Sequence, residues 1–484
     1  MRWVLIWIVC LISSFPTVLG QETPRIPVSK ISLPDPAYIG MPIWIQVVSP
    51  TSYKIHYPSS TVPNDFGCNE VEIMWDGRVL RPLIGLPAGP SSGAACGWLG
   101  IADTAESKLP IHLQYSLTEP GTYTVRFTRY SPFRKPALEV AEQSEWVPLH
   151  LHVTPPDMVE HWLSSELSAL PGTSGRLLGE ALPSLLASRD PRVLQLMIET
   201  TYHRDPAVAD YAANSLELFD PAEVRSQLLL VLREHGPNDA LGYLFGSRGN
   251  IVAPIASQIV ASSLPYLRSS QTEKVAAAIH VLSIMHDPYF HQSPETATQI
   301  VSALQSEVDF IVAEKNEKAA WWIANFLGQT RPAVGRALLW KLINAGLATE
   351  QSLSCVTWFH DSSDLPQITA VVKQYSPSDP HGYQHSGVVS QMQTQYGRVA
   401  QPFLRDILAS SRQTWVQTAA AQALVQLNDR IGWEFFIDVV RHRPFYRDEM
   451  VRWLGEVFPA VSNANDAAII TFLASRRAKA TAQN

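Results

Sequence analysis

Three Asp-Pro pairs constrain the chain more than any other feature. They are Asp190-Pro191, Asp205-Pro206 and Asp220-Pro221, at a constant spacing of 15 residues. Each reads as a helix start. An Asp side chain accepts from the free N–H groups of the first turn, and Pro at the first helical position gives up an N–H that has no partner there anyway. A period of this length holds about 11–12 residues of helix and a short connection. The stretch therefore predicts short helices packed in series, with Asp190, Asp205 and Asp220 as helix caps and not as a row of acidic ligands.

A second pattern extends the array. Val208-Ala209-Asp210-Tyr211-Ala212-Ala213-Asn214-Ser215-Leu216 and Val416-Gln417-Thr418-Ala419-Ala420-Ala421-Gln422-Ala423-Leu424 both fit V-x-x-x-A-A-x-[AS]-L, with looser copies at 319–327 and 275–282. Val, the first Ala and Leu fall at i, i+4 and i+8, one stripe of a helix. The small Ala side chains let a neighbouring helix come close. This pattern resembles the inner helix of HEAT-type repeats in their degenerate bacterial form. The resemblance implies an α-solenoid of stacked antiparallel helices over 156–480, with one concave face used for binding and no catalytic residue. The family's Arg after the Val is replaced by Ala209 and Gln417, so no regular Asp–Arg ladder is expected from those positions.

The region 24–155 reads differently. Pro42 to Val48 is apolar and β-branched. Val71 to Trp75 alternates, and Asp76-Gly77 turns the chain into Arg78-Val79-Leu80, a hairpin signature. Ile111 to Tyr115, Thr122 to Thr128 and Trp146 to Val153 read as further strands. Short strands separated by turn residues predict a β-sandwich. The run Pro120-Gly121-Thr122-Tyr123-Thr124-Val125 resembles a closing hairpin of Ig-like bacterial domains. Thr154-Pro155-Pro156-Asp157 ends this region, with Asp157 positioned to cap a helix through Ala169. The expected layout is a β-sandwich followed by a HEAT-like α-solenoid.

Met1-Arg2 followed by apolar Trp3 to Ile12 and small residues up to Gly20 reads as a signal peptide, residues 1–20. Its apolar core is shorter than the roughly 20 residues a membrane span needs. An exported protein, periplasmic or extracellular, with no membrane span after signal cleavage, is the expectation. Export places Cys68 and Cys96 where they can form a disulfide, and leaves Cys355 as a buried small hydrophobe. The net charge of −7 argues against a nucleic-acid partner. The basic cluster Arg441, Arg443, Arg447 and Arg452, beside Asp448 and Glu449, reads as a solvated helix face.

No motif commits the chain to a reaction, a cofactor or a metal. Gly89-Pro90-Ser91-Ser92-Gly93 matches G-x-S-x-G, but it lacks the strand and helix of a nucleophile elbow. His150 and His152 share one face of a strand, and His112 is the candidate third metal ligand; the simpler reading puts the pair in solvent and Leu149, Leu151 and Val153 in the core. The segments His286 to His291 and Asp379 to His385 read as polar loops or helix starts. Trp321, Trp322, Trp340, Trp358, Trp415, Trp433 and Trp453 pack between helices or line a groove. Adjacent Trp321 and Trp322 cannot share a face, which makes them the candidate partner-binding pair. The expected function is non-catalytic binding or scaffolding of a protein or polymer by the helical array. The alternatives are an envelope enzyme with a site at the domain junction, and a carbohydrate- or surface-binding module that reads its ligand through the sandwich.

Overall fold

The computed structural model describes residues 26–49, 53–54, 69–83, 100–101, 106–130, 140–170, 177–247, 249–374, 382–442, 444–462 and 464–483. It forms two compact units, Met1–Val231 and Leu232–Asn484. Residues 1–20, Cys68, Cys96, Gly89–Gly93, Asp379, His381 and Arg443 lie outside the described residues.

The first unit contains the sheet. Its strands are β1 (Val28–Ser32), β2 (Ala37–Tyr38), β3 (Trp44–Val48), β4 (Tyr53–Lys54), β5 (Asn69–Trp75), β6 (Arg78–Val79), β7 (Gly100–Ile101), β8 (Glu106–Pro110), β9 (Gly121–Tyr130), β10 (Val140–Ser144) and β11 (Val147–His152). The long strand β9 has β5 on one side and β11 and β10 on the other, all antiparallel. Strand β1 joins two groups of strands: it runs parallel to β10 at Val28–Ser29 and antiparallel to β3 at Lys30–Ser32, and β3 pairs with β8. Alternation decides which side chains go inward. Ile45, Val47, Leu109, Val71, Ile73, Tyr123, Val125, Phe127, Leu149 and Leu151 meet in one buried cluster, fed by both groups of strands. Asp76 and Gly77 adopt positive φ at the β5–β6 hairpin, as their sequence predicts.

Three expectations for this region need correcting. Ile111 to Tyr115 is not a strand; Ile111–Leu113 forms a 3₁₀ turn after β8, and all five residues are buried, so nothing alternates. Val153 lies past the end of β11 and is exposed, although Leu149 and Leu151 are in the core. Asp157 does not cap the following helix, Pro156–Ala169; Pro155 occupies that position and Pro156 starts the first turn.

The change from strand to helix falls between His152 and Pro156, yet the compact unit runs on to Val231. The reason is a set of polar ties to the next helices. The His112 Nδ1 accepts from the Ile43 N–H at 3.0 Å, and its Nε2 bonds the Pro183 carbonyl at 2.8 Å. Trp44 Nε1 donates to Ser184 Oγ, and Arg189 donates to the His112 carbonyl. Burial pushes the His112 imidazole down to about 4, against its two backbone hydrogen bonds.

From Pro156 onward the described chain is helical. The Asp-Pro pairs start Pro191–Thr200, Pro206–Ser215 and Pro221–His235. Asp190 accepts from the Arg192 N–H, Asp205 from Ala207, and Asp220 from Ala222 and Glu223.

In the second unit alternate helices pack on one another. Asp239–Ser247, Thr272–Met285, Glu317–Thr330, Thr349–Thr357, Gly382–Tyr396 and Thr414–Gln426 form one such series. Three of the four Ala-rich copies, 275–282, 319–327 and 416–424, lie on these helices, and their burial is wider than one stripe: Ala276, Ala277 and Ala278, then Ala419, Ala420 and Ala421, are all buried. A helix with packed neighbours on several sides needs small residues around most of its circumference.

The intervening helices are tied by ion pairs at every step. Arg268 pairs with Glu307, Lys341 with Asp309, Arg336 with Asp364, Lys373 with Asp406, and Arg405 with Asp429. The expectation from Ala209 and Gln417 concerned a different position. In two of these pairs, Arg336–Asp364 and Arg405–Asp429, the Arg sits in one helix and its Asp at the start of the helix two further on. Asp364 and Asp429 are fully buried, and Asp364 also accepts from Trp340 Nε1 at 2.9 Å. Among the described residues no helix is long and apolar enough to cross a membrane.

Candidate functional site

The site lies wholly within the second unit, on the series of alternate helices. Close backbone approach builds it. A Cβ on Gly242 would stand 2.4 Å from His280 Nδ1, and one on Gly249 would stand 2.1 Å from the Tyr289 ring. Glycine at both positions lets the aromatic side chains of the next helix lie against the backbone.

Trp322 is the centre of the arrangement. Its ring stacks on His280 at 3.5 Å between centroids, with the planes only 10° apart. Tyr243 meets both rings edge-on, at 4.8 Å from His280 and 6.0 Å from Trp322. Trp321 stands nearly perpendicular to Trp322, at 88°, and is 41% exposed. The two tryptophans thus divide roles as their adjacency requires: Trp322 is braced, and Trp321 projects. Such edge and offset contacts add about 0.5–1.5 kcal/mol each beyond area burial, which fixes the Trp322 ring as a rigid plate.

The base of the plate is polar and nearly dry. His280 is 1% exposed, with Nδ1 at 3.9 Å from Asp239 Oδ1, beyond hydrogen-bonding reach. Lys318 pairs with the other Asp239 oxygen. Burial lowers the His280 pKa and the Asp239 carboxylate only partly offsets it, so the stacked ring is neutral. Burial acts to raise Asp239, but the His280 and Lys318 contacts outweigh it and hold the carboxyl below its usual range.

Two cavities open beside this plate. The larger, of about 940 Å³, is lined by Trp322, Asn325 and Gln329, by Asp287 and Tyr289, and by Asn250. The second, of about 400 Å³, is lined by Gln329, Arg331, Trp358, His360 and Gln395. They share Gln329 and so lie side by side along the helices, and together they are called the groove below. Their sizes are in the range of small-ligand sites. Beside the groove, Gln351 Nε2 donates to Asn325 Oδ1 at 2.9 Å, and Gln391 Oε1 accepts from Ser354 and Thr357 at 2.7 and 3.2 Å.

The other sequence candidates are dispersed. Cys355 is buried as a free thiol, and burial pushes it up to about 12, which removes it as a nucleophile at neutral pH. His150 and His152 are exposed on β11, and His112 is committed to Ile43 and Pro183, so no three-histidine set forms. Among the described residues no group of His, Cys, Asp and Glu could hold a metal ion. Trp433 is buried against Phe458 and Phe472, Trp453 packs on Phe436, Trp340 serves Asp364, and Trp415 is exposed. In the C-terminal basic cluster, Arg447 is neutralised by Asp466 and Asp448.

His286 and Asp287 line the groove instead of a separate loop site. The sequence pointed to Trp321 and Trp322 but not to the support beneath them. His280 lies in the Ala-rich copy 275–282, where a single imidazole among apolar residues was the available signal.

The first unit has a cavity of its own, about 440 Å³, between the sheet and its first helices. Trp44, Lys108, Glu166, Glu180 and Ser184 line it.

No family model matches the chain, and no curated protein sequence matches it either.

Proposed function

We propose that this is an exported, non-catalytic binding or scaffold protein, periplasmic or extracellular, that holds a protein or polymer partner on its helical region. In this reading the first unit carries an Ig-like β-sandwich and the helices form a HEAT-like α-solenoid. One core fed by two groups of strands supports the sandwich. Packing of alternate helices, with ion pairs along the helices between them, supports the solenoid. A single observation carries the functional reading: a groove across successive helices is floored by Trp322, held flat by His280. Rigid, part-buried aromatic residues are the usual anchors of binding surfaces. The serine and threonine hydroxyls among its described lining residues, Ser283 and Thr330, donate to the Ile279 and Phe326 carbonyls and not to His286 or Asp287, which favours binding over turnover.

The test is capture of the protein from an envelope extract after crosslinking in cells, comparing wild type with Trp322→Ala and Gln329→Ala. The reading expects a reproducible partner that Trp322→Ala loses and Gln329→Ala weakens, with both variants melting as folded proteins. Equal recovery from all three proteins would reject the groove as the binding surface. Turnover of a small substrate with no partner would favour an enzyme, with the Lys108, Glu166 and Glu180 cavity as the place to look.

A further inference from the structure

The groove has a distinct chemical character. Its aromatic faces include Trp322, Tyr289 and Trp358, and its hydrogen-bonding groups include the amides Asn250, Asn325, Gln329 and Gln395, beside Ser283, Thr330, His286 and His360. Its formally charged side chains are few, Asp287 in one cavity and Arg331 in the other. Other charged pairs of the unit, Arg336–Asp364, Lys373–Asp406 and Arg405–Asp429, are on the intervening helices, and Lys318 and Asp239 neutralise each other beneath the plate. A polyanion needs a run of cations, and a basic peptide needs a run of carboxylates. The groove has neither.

We propose that the groove binds a neutral oligosaccharide lying across successive helices; this rests on the binding reading given above. A pyranose ring has an apolar face of C–H groups and a rim of hydroxyls, each both donor and acceptor. An aromatic plate covers the face, and a carboxamide, with one acceptor oxygen and two N–H donors, serves the rim. Asn325 among the lining amides, and Gln391 on a neighbouring helix, are already oriented. Asn325 is fixed by Gln351, and Gln391 by Ser354 and Thr357. Pre-orientation of this kind lowers the ordering cost of binding. Packed helices stand about 9 Å apart, so the span from Asp239–Ser247 to Gly382–Tyr396 is about 35 Å, the length of an extended oligomer. An extended peptide is the weaker fit. Strand addition needs a free sheet edge, and the described residues of this unit are helical.

The experiment is calorimetric and fluorescence titration of the purified protein with cellohexaose, maltohexaose, mannohexaose and chitohexaose. Polygalacturonate and a proline-rich peptide are run alongside. At least one neutral hexasaccharide is expected to bind and to change tryptophan emission, with little dependence on salt because no counterions are released. Trp322→Ala should weaken it by at least about tenfold, and the Asn325→Ala/Gln351→Ala pair by about three- to tenfold, in proteins whose circular dichroism is unchanged. Saturation by none of the neutral hexasaccharides, or affinity unchanged in Trp322→Ala, overturns the proposal. Binding of the proline-rich peptide alone, lost in Trp322→Ala, also overturns it but keeps the groove as a binding surface. Partner capture that ignores Trp322 removes both readings.

Discussion

Helix starts near residues 190–220 and those near 364 and 429 use the same residue, Asp, over different ranges. In the first region each carboxylate accepts from N–H groups two or three residues ahead, at the surface. In the second, Asp364 and Asp429 are buried and receive an Arg from a helix 28 and 24 residues earlier, and Asp429 also accepts from the Ile431 N–H two residues ahead. Local capping sets where a helix begins. The long-range pair sets which helix lies beside which. The comparison teaches that the regular Asp-Pro spacing, the most visible feature of the sequence, punctuates the array, while irregularly spaced carboxylates register it. His112 does for the sheet what Asp364 does for the helices: a buried polar group ties residues 69 to 71 positions away.

This contrast can be broken by experiment, starting with the strongest tie. His112 is neutral in the folded protein down to about pH 4, while an unfolded His takes up its proton near 6.5. Between those values the unfolded chain binds more protons. The contribution is therefore whole above pH 6.5 and is lost as pH falls toward 4, by on the order of 3 kcal/mol. Urea melts should show the stability gap between wild type and His112→Asn closing over that window; a gap independent of pH would contradict a buried neutral imidazole.

Next is Asp364→Ala, which strands Trp340 Nε1 and leaves the Arg336 guanidinium with only Asp361 and Ser363. Breaking a buried pair costs about 3–5 kcal/mol, and the partial exposure of Arg336 reduces this to about 2–3. A urea midpoint within error of wild type would show that the pair does not register the helices.

Asp205→Ala removes only a surface cap, so a loss of about 1 kcal/mol is expected. If it matched Asp364→Ala, the distinction between the two regions would fail. Smallest is Lys341→Ala, whose partner Asp309 is well exposed; its effect should stay under about 0.5 kcal/mol and shrink with salt. Cys355 gives a check without mutation: a thiol reagent at pH 8 should label it only when the second unit opens.

The parts that were legible in the sequence are those set by neighbours. The hairpin at Asp76-Gly77, the Asp-Pro starts and the small-residue helices of the second unit all follow from residues within one turn of one another. The Ile111–Tyr115 strand was misread because alternation of residue types was taken for alternation of burial; a segment covered on both faces hides every side chain whatever its type. At the candidate site, the exposed Trp321 and braced Trp322 followed from adjacency on a helix. Their support did not, because Tyr243, His280 and Trp322 come from three helices.

The sequence alone determined where helices and hairpins begin, which helices carry the small residues for close packing, and that the chain changes from strand to helix near Pro155. Those features depend on backbone preference and side-chain size, which act over a few residues. Only the tertiary structure decided that His112 anchors helices to the sheet, that Arg336 and Arg405 reach Asp364 and Asp429, and that Trp322 floors a groove of amides and aromatic rings. Each of these joins groups separated by tens of residues, and no short-range period in a sequence records which distant side chains will share a dry interface.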